Sequence, residues 1–367
     1  MTTINIEKET LRKRINLNVS LKDLNNKKIL VTGSNGFIAS SFIRIICELM
    51  DEKKYNIKFY GIVRKNSSKT NPILHKLIKT KKLTIFKVDI NKEINIKIKP
   101  DICFHAASIT SPKEYFTKPI ETLLTSSLGT INLLNFCIKT KIKKFILLSS
   151  GEIYGNLKTT KNIKHFNEEN YGIIDPGKIN SNYGISKKFS ENALLCWSKI
   201  NNLFVNSIRL FHTYGPNMKL NDGRIHSDLV GNVVNKKNLT IKGDPNTMRS
   251  FCYITDVING ILTIIIKGKN RESYNLANPK EMYKVIEIAK IIKKIQNNKN
   301  LKIIKKKSKN LNKRLNFFYP LPSIKKLNKL GWSPKVNIKT GLTQTLSFFN
   351  NKKKVYISEL YKKISKL

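Results

Sequence analysis

The sequence has little cysteine and lacks any long apolar run. Its five cysteines, Cys47, Cys103, Cys137, Cys196 and Cys252, are scattered, odd in number and never spaced as Cys-x-x-Cys. This argues against a disulfide framework or a zinc site, so we predict a reducing compartment and no bound metal. No run of about 18 apolar residues occurs, and residues 1–27 are too charged for a signal peptide. We therefore expect a soluble, cytoplasmic protein with no membrane partner.

Acidic residues are also scarce. The 367 residues include 24 Asp and Glu against 69 Lys and Arg, which gives a formal net charge of +45. Such an excess is typical of proteins that bind nucleic acid or an anionic membrane. Here the lysines are spread over nearly the whole chain with Asn and Ile, and no basic stretch is interleaved with aromatic residues. We interpret the excess as a compositional bias that suits anionic substrates, and we predict no nucleic-acid partner.

Short apolar strands alternate with amphipathic helices through the first half of the chain. This alternation is typical of an α/β fold with a doubly wound parallel sheet. After about residue 211 Gly and Pro mark irregular loops, and the lysine-dense residues 302–313 are interpreted as solvated surface. The predicted strands are residues 28–32, 57–63, 83–88, 102–105, 145–149 and 205–210, and the predicted helices include residues 37–50, 123–139 and 186–200.

A glycine turn follows the first predicted strand. Gly33 and Gly36 separate that strand from a helical segment, so backbone N–H groups at the helix start would point at an anion. The missing side chains would let a pyrophosphate come close. Because Ala39 stands where a dinucleotide fingerprint has its third glycine, the turn by itself fits a packed strand–helix junction equally well.

Tyr183 and Lys187 form a Tyr-x-x-x-Lys pair on a predicted helix. They share one face, a turn apart, so the ammonium would favour the phenolate and lower the pKa of Tyr183. Tyr183 would then be a general base for a hydroxyl, the alternative being a surface pair without a role. A second such pair, Tyr154 and Lys158, lies outside any clear helical pattern.

A series of short motifs occurs in one order along residues 28–350. Together they resemble the extended short-chain dehydrogenase/reductase family, in its nucleotide-sugar epimerase/dehydratase branch. The motifs are residues 32–39 (TGSNGFIA), 88–90 (VDI), 104–108 (FHAAS), 148–155 (LSSGEIYG), 183–187 (YGISK), 209–216 (RLFHTYGP), 248–256 (MRSFCYITD), 274–279 (YNLANP) and 330–332 (LGW).

The resemblance implies a two-part fold. We expect an N-terminal extension at residues 1–27, a dinucleotide-binding Rossmann domain at residues 28–210 and a C-terminal tail at residues 351–367. A smaller C-terminal substrate-binding lobe would occupy residues 211–350 and be partly interleaved with the Rossmann domain. The resemblance also implies a homodimer.

The resemblance further implies an NAD cofactor that is reduced and reoxidised within one turnover. Arg64 and Lys65, rather than an acid, end the second predicted strand, so NADP is the alternative. The implied cofactor-binding residues are Gly33, Asn35, Gly36, Phe37, Ile38, Arg64, Asp89, Ile90, Ala106, Ala107, Ser108, Tyr183, Lys187 and Phe211.

Four residues would be catalytic by this resemblance. Tyr183 would take the proton of a sugar 4-hydroxyl, and Lys187 would hold the nicotinamide ribose and tune Tyr183. Ser150 would hydrogen-bond the 4-oxygen, and Glu152 would act as acid or base near C5.

Within the branch, residues 111–115 (SPKEY), 119–122 (PIET) and 221–224 (NDGR) look most like UDP-glucuronate decarboxylases. This implies that UDP-glucuronate is oxidised at C4 and loses carbon dioxide to give UDP-xylose. Ser111, His212, Arg224 and Arg249 would bind the nucleotide sugar. The alternatives are an epimerase or 4,6-dehydratase of the same family, and a nucleotide-sugar-binding protein without turnover.

Three departures from the family pattern bear on that choice. Gly151 stands where dehydratases have Asp and decarboxylases usually have Ser. His212 stands where Asn is usual. An Arg expected shortly before Pro322 is missing, and Arg314 is a candidate replacement.

Overall fold

The computed structural model describes residues 19–53, 55–64, 72–155, 165–306 and 321–364. Its helices are α1 (Phe37–Lys53), α2 (Pro72–Lys79), α3 (Pro112–Thr117), α4 (Pro119–Ser126), α5 (Leu128–Lys139), α6 (Asn182–Asn201), α7 (Ile225–Val234), α8 (Ile254–Lys267), α9 (Val285–Gln296), α10 (Lys325–Asn328) and α11 (Ile338–Ile364). Its strands are β1 (Lys28–Thr32), β2 (Lys58–Val63), β3 (Leu83–Lys87), β4 (Ile102–His105), β5 (Lys144–Ser150), β6 (His165–Phe166), β7 (Phe204–Leu210), β8 (His212–Tyr214), β9 (Leu239–Lys242), β10 (Met248–Tyr253), β11 (Glu272–Leu276), β12 (Met282–Lys284), β13 (Ile303–Lys306) and β14 (Leu321–Pro322).

A seven-stranded sheet in the order β3-β2-β1-β4-β5-β7-β11 forms the centre of the fold. Every neighbouring pair in it is parallel. The prediction of an α/β, doubly wound Rossmann sheet is therefore confirmed. The strand order reverses between β1 and β4, and the carboxyl ends of the strands there form the crevice in which such sheets bind ligands.

Apolar side chains of alternate strand residues enter two separate cores. Ile29 and Val31 of β1 belong to the cluster that contains Phe42 of α1 and Ile261 of α8. Leu30 belongs to the cluster on the other face, with side chains of α5 and α6. Since successive strand residues point to opposite faces, this alternation fixes both layers of helices on the sheet.

The described residues beyond β7 form three smaller sheets, to which β6 contributes one earlier strand. Strands β12, β10 and β8 form one of them, β13 pairs with β9, and β14 pairs with β6. Only Phe211 separates β7 from β8, so the chain passes directly from the large sheet to the smaller one. Strand β11, from residues assigned to the smaller lobe, forms one edge of the large sheet, and helix α8 from the same region packs on that sheet. The division into lobes stays a prediction.

Several sequence features lie outside the described residues, among them residues 1–18, Lys65, Lys158 and Arg314. Helix α11 continues past the boundary predicted at residue 351. Within the described ranges, no helix combines the length and apolarity needed to cross a membrane. In the same ranges, no group of three or more His, Cys, Asp or Glu residues is placed to hold a metal ion.

Candidate active site

The turn after β1 brings backbone segments into close contact. Gly33 has a φ of +62°, which glycine adopts without strain, and a Cβ atom there would lie 2.8 Å from the Cα of Ala107. The Gly36 amide donates to the carbonyl of Gly33 at 2.8 Å. The first turn of α1 carries no acidic residue. The turn can therefore receive an anionic group at the start of a helix without charge repulsion.

A buried polar network that the sequence did not reveal fixes this junction. Thr32 Oγ1 and His105 Nδ1 are 2.7 Å apart, and His105 Nε2 lies 3.1 Å from Thr130 Oγ1. The Thr130 hydroxyl donates to the carbonyl of Ser126, so we assign the His105 proton to Nε2. Burial lowers the pKa of His105 to about 3, so the ring is neutral. Thr32 Oγ1 also accepts from the Ala107 amide, which holds that segment against Gly33.

A cavity of about 160 Å³ lies at the carboxyl ends of the central strands. All four residues predicted to be catalytic line it, as do three of the predicted substrate residues. Besides Tyr183 and Lys187, four more of the predicted cofactor residues line it. These residues are Ser150, Glu152, Tyr183, Lys187, His212, Arg224, Arg249, Ile38, Ala106, Ser108 and Phe211.

Other predicted residues are placed differently. The Ser111 hydroxyl donates to the carbonyl of Asp222 at 2.8 Å, which gives it a partner within the protein. Ile90 has its side chain buried in the core, so only its backbone remains for a ligand. Arg64 is exposed directly after β2, and Asp89 accepts a hydrogen bond from the Asn91 amide. The roles predicted for these residues stay predictions.

Ser150 joins strand β5 to Tyr183. It is the last residue of β5 and caps the 3-10 turn Gly151–Tyr154, with its Oγ accepting from the Glu152 amide at 3.2 Å. A hydrogen bond with Ser150 lowers the pKa of Tyr183, but burial outweighs it and raises that pKa to about 12. Glu152 also raises the pKa, whereas Arg224 lowers it.

The predicted lowering of the Tyr183 pKa by Lys187 is therefore wrong in this structure. Lys187 Nζ donates to the carbonyl of Leu148 at 2.9 Å and lies 6.0 Å from the centroid of the Tyr183 ring. Burial lowers the pKa of Lys187 itself to about 8. The helical spacing places both side chains in the cavity, but the low dielectric around them opposes charge on either group.

A second cavity, of about 190 Å³, shares Glu152, His212, Arg224 and Arg249 with the first and extends to Lys242. Arg224 Nε donates to the carboxylate of Asp222 at 2.9 Å. Two guanidinium groups at the boundary between the cavities suit a phosphate or carboxylate.

His212 is partly exposed to the cavities and lies beside the buried His226. Its ring is 6.0 Å from that of His226 and 5.9 Å from that of Phe251. Burial lowers the pKa of His212 well below its usual value, and Arg249, His226 and Arg224 lower it further. His212 is therefore a neutral hydrogen-bonding group near pH 7, as the usual Asn would be.

A buried ion pair that the sequence analysis did not identify joins strand β7 to helix α6 and to the turn that follows Ser150. Arg209 Nη2 lies 2.8 Å from Glu191 Oε2, and Arg209 Nη1 donates to the Tyr154 hydroxyl at 2.9 Å. The Tyr154 hydroxyl in turn donates to Asn275 Oδ1 at 2.6 Å. Burial raises the pKa of Tyr154, so this tyrosine is a structural partner of Arg209 and not a second general base.

The family model described as "NAD dependent epimerase/dehydratase family" matches residues 29–277. UDP-glucuronic acid decarboxylase 6 of Arabidopsis thaliana is 29% identical over 323 residues, which cover 86% of this chain and 87% of that protein. UDP-glucuronic acid 4-epimerase from Bacillus cereus, solved with UDP-glucuronic acid and NAD, superposes with a TM-score of 0.74 at 24% identity. That superposition covers 89% of this chain and 99% of the epimerase.

A third relative catalyses a different reaction. The dTDP-glucose 4,6-dehydratase of Bacillus anthracis, in complex with NAD, superposes with a TM-score of 0.70 at 20% identity, covering 89% of this chain and 98% of that one. The two solved structures show that the fold is shared by epimerases and dehydratases. The family model matches most of the sequence and confirms the family resemblance inferred from the motifs. The chain therefore belongs to the NAD dependent epimerase/dehydratase family.

Proposed function

We propose that the protein is a nucleotide-sugar-modifying enzyme that works through a transient 4-keto intermediate, and that it converts UDP-glucuronate to UDP-xylose. The observation that carries this proposal is the convergence of Ser150, Tyr183 and Lys187 with Glu152 in one cavity. Arg224 and Arg249 adjoin them and suit an anionic substrate. The curated relatives named UDP-glucuronic acid decarboxylase support the choice of substrate.

Tyr183, as a phenolate, would accept the proton of the 4-hydroxyl while Ser150 holds the same oxygen by a hydrogen bond. Because burial raises the pKa of Tyr183 to about 12, we propose that the positive charges of Lys187 and of a bound nicotinamide favour the phenolate in the complex. NAD would supply the hydride acceptor and return the hydride later in the turnover. The glycine turn fits the pyrophosphate of such a cofactor, because Gly33 and Gly36 put no side chain at the start of α1 and its first turn carries no acidic residue. We propose NAD rather than NADP, with Arg64 as a surface residue.

A 4-keto group makes the 6-carboxylate of a uronic acid a β-keto acid, which loses carbon dioxide without a strong base. The carbon that is left at C5 then needs a proton, for which Glu152 is the carboxyl group of the cavity. The 4,6-dehydratase alternative is disfavoured, because the space beside Gly151 is taken by the Phe211 ring. Epimerisation with the carboxylate retained is the second candidate, since Glu152 could also remove a C5 proton.

The deciding experiment is to incubate the protein with UDP-, dTDP-, GDP- and CDP-sugars and to weigh the products. Decarboxylation of UDP-glucuronate removes the mass of one carbon dioxide, whereas epimerisation leaves the mass unchanged and is detected by chromatographic separation of the isomers. Consumption of another nucleotide sugar with UDP-glucuronate untouched would disprove the substrate assignment. Binding of a nucleotide sugar without any turnover would favour the non-catalytic alternative.

We also propose that the protein is a cytoplasmic homodimer. Ile120, Leu123 and Leu124 of α4 and Phe189 of α6 are exposed, and these two helices pack against each other. Helix α4 has no Lys or Arg, although 69 of the 367 residues are basic. Two copies of a strongly cationic chain could therefore meet there with little repulsion. All five cysteines are free, which is compatible with a reducing compartment.

A further inference from the structure

Tyr115 lies flat against Tyr183. The centroids of the two rings are 5.6 Å apart and their planes differ by 5°. Tyr115 belongs to the short helix α3, and Tyr183 lies in the first turn of α6. The side-chain amide of Asn182 donates to the Tyr115 carbonyl at 3.0 Å, so the two helices are also joined beside the stacked rings.

The other end of α3 is tied to the loop that carries Arg224. Ser111, directly before α3, donates its hydroxyl to the carbonyl of Asp222 at 2.8 Å. The carboxylate of the buried Asp222 accepts from Arg224 Nε at 2.9 Å. One short helix thus connects a cationic side chain of the cavity with the ring of the proposed general base.

Stacking has two physical consequences for Tyr183. A parallel ring on one face of the phenol hinders its rotation, so the hydroxyl stays directed at Ser150. The same ring keeps water from that face, and burial is the largest cause of the raised pKa of Tyr183. Tyr115 lines both cavities, so it stands where the phenol would otherwise meet solvent.

We propose that Tyr115 is a positioning residue for Tyr183, whose ring plane and dry surroundings it fixes by stacking. The effect of Tyr115 on turnover rests on the proposed function, whereas its effect on the orientation and hydration of the Tyr183 phenol does not. The ring is the operative part of Tyr115, so Tyr115→Phe keeps the effect and Tyr115→Leu removes it.

The test uses a ring-fluorinated tyrosine incorporated at position 183, whose titration is followed by fluorine NMR in the parent, Tyr115→Phe and Tyr115→Leu proteins. Fluorination lowers the phenol pKa, so the titration is followed at lower pH than with the natural tyrosine. We expect the parent and the Phe variant to titrate together and the Leu variant to titrate about one pH unit lower, because its phenol is more hydrated.

Turnover is measured in the parent, Tyr115→Phe and Tyr115→Leu proteins with the natural tyrosine at position 183. Tyr115→Leu should lose roughly tenfold to a hundredfold in kcat with a smaller change in KM, as expected when a catalytic group is misplaced. Tyr115→Phe should retain the parent kcat. Equal titration in all three proteins, or a Phe variant that behaves like the Leu variant, would overturn the proposal. A shifted titration in proteins that consume no nucleotide sugar would support the positioning role and contradict the proposed function.

Discussion

The ring of Phe211 occupies the space that a side chain at Gly151 would need. A Cβ atom at position 151 would lie 2.8 Å from the ring, closer than real Cβ contacts allow. Gly151 follows β5 and Phe211 follows β7, and these strands are neighbours in the sheet. The departure from the family pattern at position 151 is therefore coupled to the residue that leads from the large sheet into β8.

We expect Gly151→Ala to lower the free energy of unfolding by about 1–3 kcal/mol, because the methyl group overpacks against the Phe211 ring. Urea denaturation measures the change. Gly177→Ala is the matched control, since a Cβ there would have only Asp175 Oδ1 nearby, at 3.3 Å. Adding Phe211→Leu should restore part of the loss. An alanine variant as stable as the parent would show that the ring moves aside freely.

Tyr183→Phe should abolish turnover and leave the cofactor bound, because only the proton acceptor is removed. Lys187→Ala should lower both turnover and the amount of cofactor that purifies with the protein. Product formation and the dinucleotide released on denaturation are the two measurements. Lys188→Ala is the control for charge, since its ammonium donates to the carbonyl of Gly172. Activity near that of the parent in Tyr183→Phe would remove Tyr183 from its proposed role.

Buried neutral histidines should make the fold sensitive to acid. The pKa values of His105 and His226 are both lowered to about 3 by burial, whereas unfolded histidine titrates near 6.5. As the pH falls below about 6.5, the unfolded state takes up protons that the native state excludes. Each histidine then lowers the free energy of unfolding by about 1.4 kcal/mol per pH unit, down to about pH 3.

Urea denaturation between pH 5 and pH 8 tests this dependence. His226→Gln should have a shallower slope below pH 6.5 than the parent, and the exposed His165→Gln serves as the control. Equal slopes in the parent and in His226→Gln would show that His226 is protonated in the native state.

The proposed dimer predicts that charge on α4 separates the subunits. Ile120→Glu and Leu124→Glu should convert the protein to a folded monomer, because each would place a carboxylate in an apolar contact. Sedimentation velocity measures the mass in solution. Ile304→Glu, on β13, places the same charge on another partly exposed isoleucine and should leave the mass unchanged. A parent protein that is monomeric would refute the proposal directly.

The central strands of the first half could be predicted because their apolar runs are buried on both sides, whereas the edge strand β3 is only partly buried. Strand β11 was missed, since its sequence ESYNL is half polar and its Asn275 bonds to the Tyr154 hydroxyl and to the Glu168 side chain. Spacing located Tyr183 and Lys187, because the helix period brings them to one face. It could not give their pKa values, which depend on burial by distant parts of the chain. The contacts of Gly151 with Phe211 and of Tyr115 with Tyr183 likewise join residues far apart in sequence.

Glu152→Gln distinguishes decarboxylation from epimerisation within the proposed mechanism. Loss of carbon dioxide from a β-keto acid needs no base, and the C5 proton could then reach the substrate through water, so the variant should retain measurable UDP-xylose formation. We expect a fall in kcat of roughly a hundredfold, at the low end of the usual contribution of a general acid, because water can also deliver the proton. Epimerisation at C5, by contrast, requires removal of a C–H proton and should stop completely.

Glu169→Gln, which changes a carboxylate that lines a different cavity, is the control. Each variant is incubated with UDP-glucuronate, and the nucleotide sugars are separated by chromatography before mass spectrometry, because the C5 epimer has the same mass as the substrate. Complete loss of decarboxylation in Glu152→Gln with parental activity in Glu169→Gln would mean that Glu152 takes part in the C–C cleavage itself.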